Sequence, residues 1–320
     1  MNRQRRKFLK AAAAGGVAYA FGRTPGTVHA QMSGVGGLGD YKALVCLFLF
    51  GGNDSWNMVV PTSTAEYNAY ARARGGGTSS SLAIDRAALL PVTRVGQLPG
   101  DPSFGFHPSM TGARDLFNAG KLAVLPNIGP LLRPTTKAQY QTATTTGHAL
   151  PPQLFSHNDQ QVEWQSSIAD KPFATGWGGR VADLLNAFNS SEQISMSISI
   201  AGKNTFQVGS TVSQYAVGTG GATNLTGTTT STNPTNLDGI RYRAQRDLFG
   251  QPQSGLFEAA FGSASSEAIV SAELLNSVLA ASTTIRTAFP ATSAGNQLRM
   301  AARLIAAAPN LGLKRQIFFV

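Results

Sequence analysis

Cysteine, histidine and charged side chains are all scarce in this chain of 320 residues, which has one cysteine, four histidines and 13% charged residues. The single cysteine, Cys46, excludes an internal disulfide bond, and its apolar surroundings predict a small buried side chain. Three of the histidines lie beyond residue 30, so a metal site would have few imidazole ligands. The 42% hydrophobic content is sufficient for a large core, in one large or two small globular units.

Residues 1–30 have the pattern of an export signal. A basic head with the pair Arg5 and Arg6 is followed by the apolar run 11–21 and by a small-residue cleavage site that ends at Ala30. The head resembles a twin-arginine signal, which predicts the twin-arginine translocase as a partner and a periplasmic or secreted protein. The apolar run is short and rich in glycine and alanine, so we expect no stable membrane span, with an uncleaved anchor as the alternative.

The charge of the remaining chain argues against a nucleic-acid partner. The formal net charge of the whole chain is +10, and subtracting the six basic residues of 1–30, which contain no acidic residue, leaves +4. A charge of this size corresponds to ordinary surface charge without a basic stripe. The six basic residues are Arg3, Arg5, Arg6, Lys7, Lys10 and Arg23.

An apolar run from Lys42 to Phe50 organises the predicted fold. The run has neither helical spacing nor strict alternation, which predicts a strand buried on both faces, as in a parallel sheet. Gly51 and Gly52 follow directly and permit a sharp turn. Ligands of open α/β sheets bind beyond the carboxyl ends of the strands, so this turn is a candidate site.

Side chains with oxygen ligands follow the turn. Asp54 is a candidate metal ligand or catalytic group, and Asn53 and Asn57 are candidate supporting residues. Aspartate and asparagine are also common in turns and at helix N-caps, so a purely structural strand-to-helix turn is the alternative.

A helix and a second strand are predicted between residues 104 and 128. Residues 110–119 have helical spacing, and the apolar run Lys121–Ile128 predicts a second buried strand, so that strand, helix and strand form a parallel unit. His107 precedes this helix and is a candidate supporting residue near the sheet edge. A structural imidazole is the alternative, and the commoner case.

The polar run Ser156–Gln161 follows a long loop at 129–153 and is the second candidate site. Ser156 is a good N-cap, with Asp159 in the capping-box position, which is the structural interpretation. The functional interpretation is that a helix N-terminus attracts an anion while Ser156, His157 and Asp159 supply nucleophile and ligand atoms.

The remaining chain predicts alternating secondary structure. Ile194–Ile200 alternates strictly and predicts a half-buried strand, and Gly202–Asn236 predicts a surface excursion without chemistry. Two helices are predicted at about 265–282 and 296–308. Residues 314–320 predict another buried parallel strand at the point where a functional loop would follow, so we expect a truncated sequence. A short edge strand that closes the fold is the alternative.

These motifs together resemble the DUF1501 family of exported bacterial proteins, which is similar to the alkaline phosphatase and sulfatase superfamily. The resemblance rests on the twin-arginine leader, Phe50–Asn57 with Val59–Pro61, Phe106-His107-Pro108, residues 121–124 and Ser156–Asp159 with Trp164. It implies an α/β domain at 31–320, with a doubly wound, mostly parallel sheet and helices on both faces. The family's Gly-Gly-Phe/Trp-Asp-Thr-His segment is not in the sequence, so the resemblance implies that the C-terminal part is missing.

The resemblance also implies hydrolysis of a small anionic phosphate or sulfate ester. By position, Ser156 would be the nucleophile and Asp54 a ligand of a divalent metal, and the sequence does not distinguish zinc, calcium and magnesium. His157 and Asp159 would be further metal ligands, and Asn53 a supporting ligand or a contact to the ester oxygens. A metal would lower the pKa of the nucleophile, and the helix N-terminus would stabilise the anionic ester.

Two other functions compete with the hydrolase. The first is a non-catalytic exported binding or assembly module on the same fold, favoured by the scarce histidines and the polar excursion. The second takes Gly51–Asp54 as a block of the SGNH esterases. We discount it because no Gly-Asp-Ser strand end precedes Leu44 and no late Asp-x-x-His pair follows.

Overall fold

The computed structural model describes residues 41–190, 193–223, 235–281 and 285–320. The predicted export signal, with Arg5, Arg6 and Ala30, lies outside the described residues, as do residues 224–234 of the polar excursion. The chain divides into two compact units. Residues 41–48 and the described part of Pro130–Val320 form the larger unit, and Leu49–Gly129 form the smaller one.

Seven strands and nine α-helices lie in the described ranges. The strands are β1 (Lys42–Cys46), β2 (Val59–Pro61), β3 (Leu90–Val92), β4 (Phe104–Phe106), β5 (Ser197–Ser199), β6 (Tyr215–Ala216) and β7 (Arg315–Phe319). The helices are α1 (Thr64–Ala73), α2 (Thr111–Asn118), α3 (Lys137–Gln141), α4 (Ala143–Thr146), α5 (His157–Ser166), α6 (Trp177–Leu185), α7 (Leu237–Gly250), α8 (Leu256–Ala281) and α9 (Ser293–Ala307).

The larger unit is built on a parallel sheet with the strand order β1-β7-β5-β6. Its apolar side chains pack with those of α6, α8 and α9 into one buried cluster. The prediction of an α/β fold with a mostly parallel sheet is therefore confirmed. Parallel strands need long crossovers, and helices lie between β1 and β5 and between β6 and β7, whereas residues 200–214 join β5 to β6 without a helix.

Strand β7 lies between β1 and β5, and all five of its residues are buried. Ile317 is in register with Leu44 on one side and with Ser197 on the other. The predicted buried parallel strand at 314–320 is confirmed. The helix before it, predicted at about 296–308, corresponds to α9.

The prediction for the first strand was wrong in length and burial. Strand β1 ends at Cys46, and its residues alternate between half-buried and exposed. The strand lies at one edge of the sheet, beside β7, and the exposed residues Ala43 and Val45 point to the same face, so that face of β1 is not covered. Beyond the strand, Leu47, Leu49 and Phe50 are exposed. An apolar run without alternation therefore did not indicate a central strand.

The opposite error applies to β5. The alternation of Ile194–Ile200 predicted a half-buried strand, yet Ser197 and Ser199 are as fully buried as Ile198. The strand lies inside the sheet between β7 and β6, and because successive residues point to opposite faces, the burial of all three shows that both faces are covered. Alternation between serine and apolar residues therefore did not indicate which face of the strand is exposed to solvent. Serine is small enough to pack in a closely packed core.

The smaller unit contains an antiparallel sheet with the order β2-β4-β3. The predicted helix at 110–119 is present as α2. The predicted strand Lys121–Ile128 is wrong, because these residues form no strand and Leu125 and Ile128 are exposed. The predicted parallel unit, from the first strand through this helix to the second strand, is therefore absent, because its second strand does not form.

Two stretches that were predicted to be irregular have more structure than expected. The long loop 129–153 contains the short helices α3 and α4. The excursion predicted at Gly202–Asn236 contains β6, and Phe206, Val212 and Val217 within it belong to the main core cluster. Across the described parts of the chain, no helix is both long and apolar enough to cross a membrane.

Candidate functional site

The predicted site residues fall in both units. Asn53, Asp54, Asn57 and His107 belong to the smaller unit, whereas Ser156, His157 and Asp159 belong to the larger one. Two local arrangements therefore carry the candidate chemistry, one before β2 and one at the start of α5.

The loop before β2 turns at Gly51, whose φ of +97° is a left-handed conformation that favours glycine. Asn53 and Asp54 are exposed, and a single 3₁₀ turn at Ser55–Asn57 then leads into β2. The amide nitrogen Nδ2 of Asn53 lies 3.1 Å from the Met58 sulfur. This side chain therefore packs back on its own loop.

Asp54 forms an ion pair through its Oδ2 with the Arg74 guanidinium, which follows α1. The Asp54 side chain is 43% exposed and the Arg74 side chain 20% exposed. A pair this open to water contributes less than about 1 kcal/mol to stability. The carboxylate is accessible, but a positive charge already neutralises it.

Asn57 has a structural role. Its Oδ1 accepts a hydrogen bond of 2.6 Å from the Tyr70 hydroxyl, and its Nδ2 donates to the Leu82 carbonyl at 3.0 Å. The Tyr70 oxygen also accepts from the Ile84 amide at 2.9 Å. Asn57 thereby ties the loop to α1 and to the segment that follows it, and little of its hydrogen-bonding capacity is left for a ligand.

His107 lies at the same end of the antiparallel sheet as this loop. Its backbone N–H donates to the Met58 carbonyl at 3.1 Å, and its Nδ1 accepts from the Ser109 amide at 3.1 Å. The hydrogen bond from Ser109 places a lone pair, not a proton, on Nδ1, so the neutral imidazole carries its proton on Nε2. His107 and Asn53 therefore both contact Met58, the first through the Met58 carbonyl oxygen and the second through the sulfur.

In the larger unit, Ser156 is the N-cap of α5, as predicted. Its Oγ accepts a long hydrogen bond of 3.4 Å from the Asp159 amide, and its side chain is half-buried. His157 and Asp159 in the first turn are exposed. The Ser156 hydroxyl proton is not used by this cap, so the group can still donate. The positive end of the helix dipole stabilises the Asp159 carboxylate. The negative charge of that carboxylate repels an anionic ligand at the same helix end.

Glu163, two turns along α5, is a buried acid that the sequence analysis did not select. Its side chain is 6% exposed, and Gln160 Nε2 donates to its Oε2 at 3.0 Å. Burial raises the pKa of Glu163, the hydrogen bond from Gln160 lowers it and the negative charge of Asp159 raises it, with a net rise. Glu163 therefore holds its proton to higher pH than an exposed glutamate.

A second set of polar side chains was missed because it lies in the predicted excursion. Asn204 donates through Nδ2 to Gln207 Oε1 at 2.9 Å, and its backbone N–H donates to Gln214 Oε1 at 3.1 Å. Gln207 is fully buried and donates to the Ile317 carbonyl of β7 at 3.2 Å. The spacing of asparagine and glutamine residues in a polar stretch does not indicate which of them are buried.

The Asp183 carboxylate on α6 binds backbone N–H groups of residues 210–212, which belong to the same segment. Its carboxylate accepts hydrogen bonds from the amides of Ser210 at 2.7 Å, Thr211 at 3.0 Å and Val212 at 2.9 Å, and from the Thr211 hydroxyl at 2.8 Å. Burial acts to raise the pKa of Asp183, but these hydrogen bonds together outweigh it and lower the pKa. All of these contacts are within the protein, so we assign Asp183 a structural role.

The described part of the chain has no group of three or more histidine, cysteine, aspartate or glutamate side chains placed to hold a metal ion. Asp54 has oxygen atoms of a suitable type, but a cation would have to share the carboxylate with Arg74 or displace it. The divalent metal that the resemblance implies therefore stays a prediction, with Asp54 as a ligand that would have to exchange Arg74 for the cation.

No protein-family model, curated protein or solved structure matches this chain. The class that the fold defines is an α/β protein with a four-stranded parallel sheet. Membership of the DUF1501 family stays a prediction, as do the roles that the resemblance implies for Asp54 and Ser156.

Proposed function

We propose that this chain is an exported protein of the alkaline phosphatase-like type that hydrolyses a small phosphate or sulfate ester, with Ser156 as the nucleophile. The proposal includes the doubly wound arrangement of the larger unit, export by the twin-arginine translocase and a periplasmic or secreted location. The parallel sheet is consistent with it but is common to many activities, so the site has to carry the function.

The observation that carries the proposal is the place of Ser156. The hydroxyl is partly accessible at the start of a ten-residue helix, where the first backbone N–H groups have no partner within the helix. Such a helix end binds the oxygen atoms of an ester anion. Attack by Oγ forms a bond to phosphorus or sulfur as the bond from that atom to the ester oxygen breaks, the Oγ proton passes to water and the leaving oxygen takes a proton from water. A water molecule then hydrolyses the ester on Ser156, which restores the hydroxyl group and releases the phosphate or sulfate.

Glu163 lies seven residues after Ser156 on the same helix, which is about 10 Å along the helix axis. Its carboxyl group is buried and accepts a hydrogen bond from Gln160, so we assign it no proton transfer in this reaction. The role of Asp54 in this proposal is to bind a divalent cation in competition with Arg74.

The second candidate is a non-catalytic binding or assembly module on the same fold. The ion pair between Asp54 and Arg74 favours it, because it gives the carboxylate a structural partner. In this case Ser156 would act only as a helix cap.

Hydrolysis of p-nitrophenyl phosphate and p-nitrophenyl sulfate, with zinc, calcium or magnesium added, separates the two functions. We expect Ser156→Ala to abolish turnover. The matched control is Thr292→Ala, which removes the N-cap hydrogen bond to Gly295 on α9 and costs about 1 kcal/mol of stability without loss of turnover.

Metal content of the purified protein gives the second measurement. Under the hydrolase proposal Asp54→Asn loses bound metal, whereas Asp85→Asn, which changes a capping aspartate of the same unit, keeps it. No turnover and no bound metal in the unmodified protein would refute the hydrolase and support the binding module.

A further inference from the structure

Strand β1 leaves one edge of the parallel sheet open. Its even-numbered residues bond to β7, since the Lys42 N–H donates to the Lys314 carbonyl at 2.9 Å. The same ladder continues beyond the strand, where the Phe48 N–H donates to the Val320 carbonyl at 3.0 Å. The backbone N–H and C=O groups of the odd-numbered residues therefore face away from β7. No strand in the described part of the chain pairs with that side.

The odd-numbered residues also carry exposed apolar side chains. Ala43 is exposed, Val45 is 38% exposed and Leu47 is 46% exposed. Because side chains of a strand alternate between its two faces, these three lie on one face of the sheet. The open edge thus combines a row of backbone hydrogen-bonding groups with a row of apolar side chains.

The other sheet edges within the described residues have features that prevent pairing with another chain. Strand β6, at the opposite edge of the parallel sheet, has only two residues. The edge strands β2 and β3 of the antiparallel sheet have three residues each and contain Pro61 and Pro91. Short length, proline and charge are the usual protection of an edge strand. Strand β1 has five residues, no proline and Lys42 as its one charged residue, so this protection is weak.

A second copy of β1 fits this edge. When two copies run antiparallel about a two-fold axis at Val45, each Val45 lies opposite the Val45 of the second copy, and Ala43 lies opposite Leu47. Each of these pairs can exchange two backbone hydrogen bonds, which gives about six in all. On the exposed face a small side chain then lies opposite a large one, and the two valines lie side by side, so that cross-strand contacts form along the whole edge.

The charge of Lys42 and the length of β6 favour this arrangement over other pairings. In the antiparallel pair the two Lys42 residues are about 20 Å apart, whereas a parallel pair would place these like charges directly opposite each other. Pairing of β1 with β6 of another copy would use only two residues of β6 and would build an open assembly. The two-fold pair uses the β1 edge of both copies and is closed.

We propose that β1 is a dimer interface, in which the β1 strands of two copies of this chain pair antiparallel about a two-fold axis at Val45. The two parallel sheets then join into one continuous sheet. The inference concerns assembly and does not depend on the proposed hydrolase.

The first test is the molar mass of the purified full chain by light scattering, measured over a range of concentrations. We expect a dimer. Val45→Pro removes an N–H group that β7 does not use, so the monomer should keep its fold while the dimer dissociation constant rises at least about tenfold. The matched control is Val45→Ala, which keeps the N–H group and should leave most of the dimer intact. Circular dichroism checks that both variants are folded.

Cysteine crosslinking tests the position of the two-fold axis. The background is Cys46→Ser, which removes the one cysteine of the chain. In a Val45→Cys variant of this background the Cα atoms of the central pair would be about 5.5 Å apart, which is within the range of a disulfide bond. With oxidised glutathione as the oxidant, we expect covalent dimers. The matched control is Val270→Cys on α8, which changes a valine that is 39% exposed and should give no covalent dimer.

Four results would overturn the proposal. They are a monomer at every concentration, a folded Val45→Pro protein that dimerises as tightly as the unmodified chain, equal crosslinking at Val45 and Val270, and a molar mass that keeps rising beyond the dimer. The last result would indicate an open assembly in place of the closed two-fold pair.

Discussion

Residues 47–57 and residues 201–214 each follow the carboxyl end of a parallel strand, β1 and β5, yet their environments are opposite. The first segment is exposed over most of its length, including Phe50 and Trp56. The second places Phe206 and Gln207 in the core and holds its backbone with Asp183. Position at a strand end therefore does not decide whether a segment is accessible to a ligand.

The difference follows from the place of each strand in the sheet. Strand β5 has a strand on each side, and the segment that leaves it buries Phe206, Gln207 and Val212, so the polar groups around them must find partners inside the protein. Strand β1 is an edge strand, so the chain that leaves it can keep its polar groups in water. The accessible segment is the better candidate for binding, and the buried segment is the better candidate for stability.

The largest predicted difference is between two phenylalanines. Phe206 is 1% exposed and its ring lies 4.5 Å from the Trp177 ring, whereas Phe50 is 56% exposed. We expect Phe206→Ala to lower the free energy of unfolding of the larger unit by about 4 kcal/mol, because it leaves a cavity. Phe50→Ala should change the stability of the protein by less than about 1 kcal/mol. Urea unfolding followed by tryptophan fluorescence measures both, and equal effects would contradict the comparison.

Two glycines give the next test. A Cβ atom at Gly179 would lie 2.1 Å from the Val208 carbonyl oxygen, whereas one at Gly52 would meet nothing within 4 Å. Gly179→Ala should therefore destabilise the larger unit by about 3 kcal/mol, since the backbone has to move away. Gly52→Ala should cost less than about 0.5 kcal/mol. Thermal unfolding by calorimetry gives both values, and a tolerated Gly179→Ala would show that the backbone at Val208 can move away from α6 at little cost.

The smallest predicted difference concerns two carboxylates. In Asp183→Asn, the amide would bring an N–H group toward a backbone donor, so we expect a loss of about 2 kcal/mol at neutral pH. Asp54→Asn breaks only an exposed ion pair and should cost less than about 1 kcal/mol.

The pH dependence of the Asp183 contribution has a definite sign. The pKa of Asp183 is lower in the folded than in the unfolded protein, so its stabilising contribution is full above the unfolded value of about 3.8. The contribution disappears as the pH falls through the folded pKa. Denaturation at a series of pH values should therefore show the stabilities of the unmodified protein and Asp183→Asn converging in acid. A constant difference would contradict this assignment.

The sequence predicted individual helices, strands and caps better than it predicted how they pack together. The strand at 314–320, the helix at 110–119 and the N-cap at Ser156 were all visible, because each depends on local composition and spacing. The sequence did not show that β1 is partly exposed and β5 is buried. The burial of a strand depends on contacts between residues far apart in the chain. The wrong strand at Lys121–Ile128 has the same cause, since an apolar run forms a strand only where a partner strand is available.

The candidate site shows the same limit. The sequence selected Asp54 and Ser156 by motif, but the partner of Asp54 is Arg74, twenty residues later, and nothing in the motif indicates it. Glu163 was overlooked because its burial comes from the packing around α5, not from its neighbours in the sequence.

The sequence by itself determined the α/β class, the helix ends at local caps and the list of side chains available for chemistry. These follow from backbone preferences and from the few histidines and acids present. The tertiary structure alone decided which strand lies at the sheet edge, which polar groups are buried and which carboxylates are already paired. The physical reason is that burial and pairing are properties of residues brought together from distant parts of the chain.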